Sequence, residues 1–294
     1  MIKLFTHIET QLSQQRITQD TPILLLGSCF TDEIGARMQH AGFDVLCNPF
    51  GTLYNPMSIA SCLQRAITNT PINSNFLVQR EGLWHSWLHH SRFSRPNMSD
   101  CLECCNDSIL KTYLFLQKKP TLIITFGTSY AFYLSNSNTL PSDFVVANCH
   151  KLPSQQFNRK RLSIESIVST WQNLLTLLNS QLSVPVILTV SPIRHLSDGA
   201  HANQLSKSTL LLAIDRLIQS NILCTYFDSY ELLMDELRDY RFYARDLCHP
   251  SDLAVDFIWQ RFQDTFMDEP TKNEIMQREK EYLSSLHQPI IYKK

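Results

Sequence analysis

Two side chains that could act as nucleophiles lie in a short turn near the start of the chain. Residues 27–30 (GSCF) follow an apolar strand candidate and precede a helical pattern. Backbone N–H groups at a helix N-terminus favour negative charge, and this field lowers the pKa of a thiol. The position therefore favours nucleophilic chemistry by Cys29 or Ser28. A buried cysteine in a tight strand–helix turn fits the same residues.

A second motif of chemical interest lies far downstream, just before the last strong helical pattern. Residues 246–251 (DLCHPS) place Asp246 three positions before His249. On a loop, such a carboxylate can orient the imidazole and stabilise its charged form. A lone pattern of this kind occurs by chance in many sequences. It gains weight here because a doubly wound sheet would return this segment to the end of the first strand.

Apolar β-rich segments alternate with helical patterns along the chain, and these elements would position both motifs. The predicted strands cover residues 22–26, 43–46, 121–126, 184–190 and 223–227. The predicted helices cover residues 32–41, 164–178, 206–220 and 251–266. Continuous apolar strands separated by helices are typical of a parallel sheet that is covered on both faces. The sequence therefore predicts a doubly wound α/β fold, with reactive groups at the carboxyl ends of the strands.

No repeat or shift in composition divides the chain. We expect one α/β domain over residues 1–270, with an insertion near residues 69–105 that covers one end of the sheet. Residues 271–294 are charged and mildly helical, which predicts a peripheral C-terminal helix.

The charge balance and the apolar pattern exclude several classes of protein. The chain has 26 basic and 27 acidic residues, so a general attraction to nucleic acid or to anionic membranes is not expected. No apolar segment approaches the ~18 residues of a membrane span, and no secretory signal is visible. We expect a soluble, cytoplasmic protein; the sequence leaves its oligomeric state open.

Cysteine and glycine patterns predict neither a disulfide framework nor a cofactor site. The nine cysteines are scattered over a long chain, and the pair Cys101 and Cys104 lacks a second ligand pair for zinc. Gly27 begins neither a dinucleotide-binding motif nor a P-loop. We therefore expect no metal and no cofactor.

Several short motifs together resemble the GSCFA-domain family. They span about residues 22–266, nearly all of the globular part. They are residues 27–30 (GSCF), 48–51 (NPFG), 54–56 (YNP), 89–93 (HHSRF), 147–151 (ANCHK), 191–195 (SPIRH), 235–243 (DELRDYRFY) and 246–251 (DLCHPS). Thr31 stands where the family name has alanine, and a threonine there can serve as a helix cap.

The resemblance implies a fold and a chemistry. That family resembles a branch of the SGNH, or GDSL-like, hydrolases, which implies a flavodoxin-like three-layer α/β/α sandwich with a mostly parallel sheet. It also implies ester hydrolysis or acyl transfer through an acyl-enzyme, often on acetylated carbohydrate. Aligning the Gly-Asp-Ser turn of that superfamily with residues 27–29 puts Cys29 at the nucleophile position, and a shift by one residue would restore Ser28. His249 would be the base, oriented by Asp246.

The same resemblance implies a set of oxyanion and substrate-binding residues. The oxyanion donors would be the N–H of the nucleophile, Gly51, and the third-strand end at Gly127 and Thr128, where threonine replaces the expected asparagine. Asn148 could substitute for that asparagine. The other candidates follow strand candidates and are His150, Arg194 and His195. The expected partner is a small-molecule or carbohydrate ester. The alternative is a non-catalytic protein that holds a saccharide or another ligand in the same cleft.

Overall fold

A sheet of five parallel strands forms the centre of the fold. The computed structural model describes residues 5–9, 12–135, 140–141 and 143–286. The central strands are β1 (Ile23–Gly27), β2 (Val45–Cys47), β5 (Thr121–Phe126), β9 (Val186–Val190) and β10 (Cys224–Phe227). The remaining strands form two small antiparallel sheets: β3 (Leu77–Arg80) with β4 (Leu83–Ser86), and β6 (Tyr130–Leu134) with β7 (Val145–Val146) and β8 (Phe157–Arg161).

The central strands lie in the order β10-β9-β5-β1-β2, and every pair is parallel. Numbered among themselves along the chain, these strands have the flavodoxin-like order 2-1-3-4-5. The order reverses between β1 and β5, whose register pairs Gly27 with Thr125. In open α/β sheets, ligands bind outside the carboxyl ends of the strands at such a reversal. The topology therefore predicts a ligand site beside the residues just after β1 and β5.

Helices cover both faces of this sheet. They are α1 (Cys29–His40), α2 (Pro56–Ile67), α3 (Met98–Leu116), α4 (Ile164–Gln181), α5 (Ala200–Ser220), α6 (Ser229–Glu231), α7 (Asp252–Phe266) and α8 (Glu269–Leu286), with a π-helical segment, Leu232–Leu237, following α6. Leu24 and Leu26 of β1 join a core with α2 to α5, whereas Ile23 and Leu25 join a core with α1 and α7. This alternation confirms the three-layer α/β/α fold predicted from the continuous apolar strands.

Several boundaries differ from the sequence-based expectation. Helix α5 begins at Ala200, six residues before the predicted start, after Gly199 with φ of 87°. The sequence pattern does not predict the charged strand β8, because its FNRKR sequence has no apolar alternation and lies mostly exposed. The expected insertion, residues 69–105, contains the β3–β4 hairpin and the first turns of α3.

The C-terminal helix packs on the fold through a buried side chain. Helix α8 begins at Glu269, and its Ile275 is buried in the core shared by α1 and α7. Residues 287–294 of the predicted helix lie outside the described residues. In the part of the chain that the structure describes, no helix is long and apolar enough to cross a membrane.

The turn after β1 is set by a close backbone approach. Gly27 has φ of 155°, and a Cβ there would lie 2.4 Å from the carbonyl oxygen of Thr125. Its N–H donates to Asn48 Oδ1 at 2.8 Å, which anchors the segment after β2 to the end of β1. Only glycine fits this position, and helix α1 then starts two residues later at Cys29.

Candidate active site

A cavity of about 380 Å³ opens at the carboxyl edge of the sheet, where the strand order reverses. Five of the predicted site residues line it: Cys29, Thr128, Arg194, His195 and His249. The other lining residues are mostly apolar or aromatic: Tyr54, Asn55, Tyr130, Phe132, Val146, Ala147 and Ile193. The cavity thus brings together residues from segments that follow β1, β5 and β9 and from the loop before α7.

Cys29 occupies the first position of helix α1, but its ionisation differs from the sequence-based expectation. The backbone N–H groups of Cys29 and Phe30 lower the thiol pKa, as a helix N-terminus should. Burial raises it by more, and the carboxylates of Asp32 and Glu33 raise it further. The pKa of Cys29 is therefore raised, and the expected net lowering is wrong.

Ser28, the alternative nucleophile, lies in the interior. Its side chain is fully buried, and its hydroxyl donates to Ser191 Oγ at 3.1 Å. Of the two nucleophile candidates, Cys29 lines the cavity and Ser28 does not. The geometry therefore favours Cys29 as the group that meets a substrate.

Asp246 holds His249 in a defined orientation. Asp246 Oδ2 lies 2.5 Å from His249 Nδ1, and Asp246 Oδ1 accepts the N–H groups of Cys248 at 2.9 Å and His249 at 3.0 Å. These hydrogen bonds hold the pKa of the Asp246 carboxyl well below its usual range. Because the carboxylate stays ionised, it keeps the proton of the neutral ring on Nδ1. Nε2 is then the ring nitrogen available to accept a proton.

His195 contributes a neutral imidazole to the cavity wall. Burial, together with the nearby charges of Lys207 and His249, lowers its pKa to about 4. Its backbone N–H donates to Asn203 Oδ1 at 2.9 Å, and its ring meets Tyr54 edge to face. Within the described residues, Nε2 is buried and has no hydrogen-bond partner. An unpaired ring nitrogen beside a cavity is available to a bound ligand.

Arg194 ties the loop after β9 to the loop that carries His249. Its N–H donates to the carbonyl of Cys248 at 3.0 Å, and its guanidinium donates to the carbonyl of Leu247 at 3.3 Å. The guanidinium also faces the ring of Tyr243 at 5.5 Å. These contacts fix the side chain while most of its donors stay available for an anionic group.

The strand-end glycines do not act as the resemblance implied. The N–H of Gly51 donates to the carbonyl of Asn48 at 2.8 Å, and a Cβ at Gly51 would lie 2.1 Å from His90 Cβ. The N–H groups of Gly127 and Thr128 both donate to the carbonyl of Tyr54 at 2.9 Å. Because the fold already uses these N–H groups, we do not place Gly51 or Gly127 among the residues that contact a substrate.

Thr128 reaches the cavity with its side chain instead of its N–H. Its hydroxyl accepts the N–H of Tyr130 at 3.1 Å and lies 3.1 Å from Ser206 Oγ. The hydroxyl can still donate one proton, so it is available as a donor to a ligand in the cavity.

Asn148 and His150 lie outside the cavity and stabilise their own loop. Asn148 Oδ1 accepts the N–H of His150 at 2.8 Å, which is a local turn bond. His150 is buried, its Nε2 contacts the carbonyl of Ser86 at 2.8 Å, and its ring stacks on His85. Burial lowers the pKa of His150 to about 4, so the ring is neutral at pH 7. Neither residue is placed to act on a ligand in this cavity.

The motifs that form this site lie within a region that matches a known protein family. The GSCFA family model matches residues 22–262. The chain belongs to the GSCFA family. Its match includes all five central strands, the turn at Cys29 and the pair Asp246 and His249, and it ends within α7. A search of the curated proteins found no match.

Lys207 is the functional candidate that sequence reasoning missed. It is 1% exposed, and its Nζ donates to the carbonyls of Gly127 and Ser191, at 2.7 Å each. Burial lowers its pKa to about 7. A signal was present, since Lys207 stands three and seven residues before Leu210 and Ile214, on the buried face of the predicted amphipathic helix.

Across the described ranges, no group of three or more histidine, cysteine, aspartate and glutamate side chains is placed to hold a metal ion.

Proposed function

We propose that this GSCFA protein is an SGNH-like esterase or acyltransferase that forms an acyl-enzyme on Cys29 and acts on an acylated carbohydrate. One observation carries the proposal. Cys29 and His249 line the same cavity, and Asp246 binds the far nitrogen of the His249 ring. These are the three kinds of group, nucleophile, base and orienting carboxylate, that covalent acyl transfer uses.

The first half of the reaction transfers the acyl group to sulfur. His249 Nε2 takes the proton from Cys29 Sγ, and the sulfur attacks the ester carbonyl to form a C–S bond. The tetrahedral intermediate collapses, the ester C–O bond breaks, and the leaving oxygen takes the proton from His249. Asp246 stabilises the imidazolium that exists between these steps.

The second half releases the acyl group to an oxygen nucleophile. His249 removes a proton from water, for hydrolysis, or from an acceptor hydroxyl, for transfer. The new C–O bond forms, the C–S bond breaks, and Cys29 regains its proton from His249. Both outcomes use the same residues, so they differ only in what enters the cavity.

Three donors in this cavity could stabilise the tetrahedral oxyanion. The N–H of Cys29, at the first position of α1, has no intrahelical acceptor. The Thr128 hydroxyl and a proton on His195 Nε2 could complete the set, and all three residues line the cavity. His195 is suited to this role because its lowered pKa keeps the ring neutral, and a neutral imidazole with its proton on Nε2 can donate a hydrogen bond to an oxyanion.

A neighbouring groove supports a carbohydrate as the substrate. It measures about 490 Å³ and shares Arg194 with the cavity. Its other lining residues include Tyr230, Arg238, Tyr240 and Tyr243. Aromatic faces pack against sugar rings, and guanidinium groups bind carboxylates or phosphates. A sugar ester that bears an acidic group would therefore fit the groove with its acyl group towards Cys29.

Nine unpaired cysteines are consistent with a reducing compartment, so the cytoplasm is the compartment that fits this activity.

The second candidate is a binding protein that uses the same cavity without catalysis. Two observations favour it: the raised pKa of Cys29, and the N–H of Gly51, which is occupied within the fold. Both would be disadvantages for an enzyme of this superfamily. The two functions differ in whether a covalent acyl intermediate forms.

Hydrolysis of p-nitrophenyl acetate and of acetylated sugars tests the proposal. We expect Cys29→Ala and His249→Ala to abolish hydrolysis, and matched variants Cys104→Ala and His201→Ala to retain it. Intact-mass measurement followed by peptide mapping should locate the acyl adduct on Cys29. Hydrolysis that survives in Cys29→Ala, or an adduct at another residue, would reject the mechanism. Saturable sugar binding with no hydrolysis would support the binding protein.

A further inference from the structure

A buried ammonium group lies behind the turn that carries Cys29. Lys207 extends from helix α5 into the interior, and its Nζ donates to the carbonyls of Gly127 and Ser191. These carbonyls lie just past the carboxyl ends of β5 and β9. Within the described residues, Lys207 has no carboxylate partner. A buried cation without a counterion costs stability, and this cost suggests that the charge serves another purpose.

Both residues that hold the Lys207 ammonium also pack against Ser28. The Ser28 hydroxyl donates to Ser191 Oγ at 3.1 Å, and a Cβ at Gly127 would lie 3.5 Å from Ser28 Cβ. Ser28 immediately precedes Cys29 in the same turn. The ammonium is therefore fixed, through two carbonyls and one serine, on the buried side of the candidate nucleophile.

Three titratable groups face Lys207, from three different parts of the fold. Cys29, at the start of α1, interacts with it electrostatically, and a thiolate there favours the ammonium form. The Tyr230 ring, from α6, lies 5.6 Å from Nζ. His195, in the loop after β9, is disfavoured in its charged form by the Lys207 charge. Of the three, Cys29 is the group that the proposed reaction ionises, whereas His195 and Tyr230 stay uncharged at neutral pH.

We infer that Lys207 is a positioning residue whose ammonium stabilises the thiolate of Cys29 and holds the carbonyl ends of β5 and β9 around the turn. The inference rests on the proposed function in one respect, that Cys29 is the nucleophile. The Lys207 ammonium would add to the stabilisation of the Cys29 thiolate that the helix N-terminus provides. Burial raises the thiol pKa, and a positive charge near a thiol favours its ionised form. The proton that leaves Sγ goes to His249 or to water. Because burial lowers the pKa of Lys207 to about 7, the stabilisation is present at and below about pH 7 and is lost as the pH rises further.

The rate at which iodoacetamide alkylates Cys29 measures this effect, because the thiolate is the reactive form. Rates are measured by peptide mapping from pH 5 to pH 10 in the wild type, Lys207→Met and Lys207→Arg. Lys207→Met keeps an unbranched side chain that is one atom shorter and removes the charge. Cys104, on helix α3, serves as the internal reference.

We expect Lys207→Met to slow alkylation of Cys29 about tenfold at pH 6 to 7, where Lys207 carries its proton, because a pKa difference of one unit is a tenfold change in the ionised fraction. The difference from the wild type should shrink above about pH 8, where Lys207 is neutral. Lys207→Arg should retain most of the wild-type rate, and alkylation of Cys104 should not change. A folded Lys207→Met variant with an unchanged Cys29 profile would overturn the inference. So would an Arg variant as slow as the Met variant.

A measurement on the wild-type chain covers the case in which Lys207→Met does not fold. Cys29 is alkylated either with iodoacetate, which leaves a negative adduct, or with iodoacetamide, which leaves a neutral one. The pKa of Lys207, followed by NMR of isotope-labelled lysine, should be about one unit higher with the negative adduct. Equal values for the two adducts would overturn the inference.

These readouts need no substrate, so they are separate from the proposed function. Slower alkylation of Cys29 in Lys207→Met, together with no ester hydrolysis by the wild type, would support this inference and contradict the proposed enzymatic function. Hydrolysis that depends on Cys29, with no effect of Lys207 on its ionisation, would do the reverse.

Discussion

Replacing Asp246 by asparagine tests the orientation of His249 with little change in shape. The new side chain would keep an Oδ1 acceptor for the N–H groups of Cys248 and His249, so the loop should keep its conformation. Its amide nitrogen would replace the oxygen that now lies 2.5 Å from His249 Nδ1. Because that nitrogen donates, Nδ1 must accept, and the ring proton moves to Nε2. The ring then has no free nitrogen to take the proton of Cys29.

The expected loss of activity depends on how exposed Asp246 and His249 are to solvent. In a triad whose carboxylate is buried, the same exchange lowers kcat by about 10⁴-fold, because the imidazole is held in the wrong tautomer. Here each side chain of the pair is 49% exposed, so water screens the interaction and can partly replace the lost oxygen. The loss should therefore be smaller than in a buried triad. We expect Asp246→Asn to lower kcat/KM by about 10 to 1000-fold.

The assay is hydrolysis of p-nitrophenyl acetate, with Asp239→Asn as the matched control. Asp239 is also an exposed loop carboxylate that accepts a nearby backbone N–H, in this case from Arg241. Its replacement should leave kcat/KM within about twofold. Circular dichroism should match the wild type for both variants, which would show that both are folded at the assay temperature. An Asp246→Asn enzyme that is folded and as active as the control would refute the assignment of His249 as the base.

Three further outcomes are expected. Gly27→Ala should lower the free energy of unfolding by more than about 1 kcal/mol in urea titrations, because the added Cβ meets the carbonyl of Thr125; unchanged stability would contradict this geometry. His195→Phe should lower kcat on p-nitrophenyl acetate up to about 100-fold with little change in KM, if Nε2 stabilises the oxyanion; a change confined to KM would limit it to substrate binding. Because the folded pKa of Asp246 is lowered, its carboxylate stabilises the fold above about pH 4 and loses that effect as pH falls; Asp246→Asn should flatten the decrease in Tm between about pH 5 and 2, and an unchanged slope would count against the observed hydrogen bonds.

The central sheet was predictable because strands that are buried on both faces are apolar along their whole length. The apolar residues of β1 and β5 admit neither an exposed strand nor a long helix, and the helical patterns between the strands require parallel pairing. Strand β8 has no such apolar pattern, since its basic side chains face solvent. The sequence pattern therefore identified the layers of the fold and missed the small sheet that borders the cavity through Tyr130 and Phe132.

The site was predictable in residue type more than in hydrogen bonding. A strand-end turn and a late Asp-x-x-His motif are local patterns, and topology brings them to one edge. Whether the N–H of Gly51 faces a ligand or the carbonyl of Asn48 depends on one backbone turn, which residue identity does not specify. Asn148 is a similar case, since its amide oxygen accepts a local N–H and the residue does not line the cavity.

The thiol of Cys29 explains why a site of this kind needs groups that local motifs do not include. A helix N-terminus contributes a modest stabilisation of negative charge, typically about 0.3–1 kcal/mol at an exposed position. Desolvation opposes it, and in this turn desolvation is the larger effect, so the pKa rises. Ionisation then depends on positive charge from elsewhere in the chain. His249 acquires such a charge when it takes the proton, and Lys207 can hold one on the buried side of the turn. If both groups act, removing either should impair Cys29, and removing Lys207 should do so even when no ester is present.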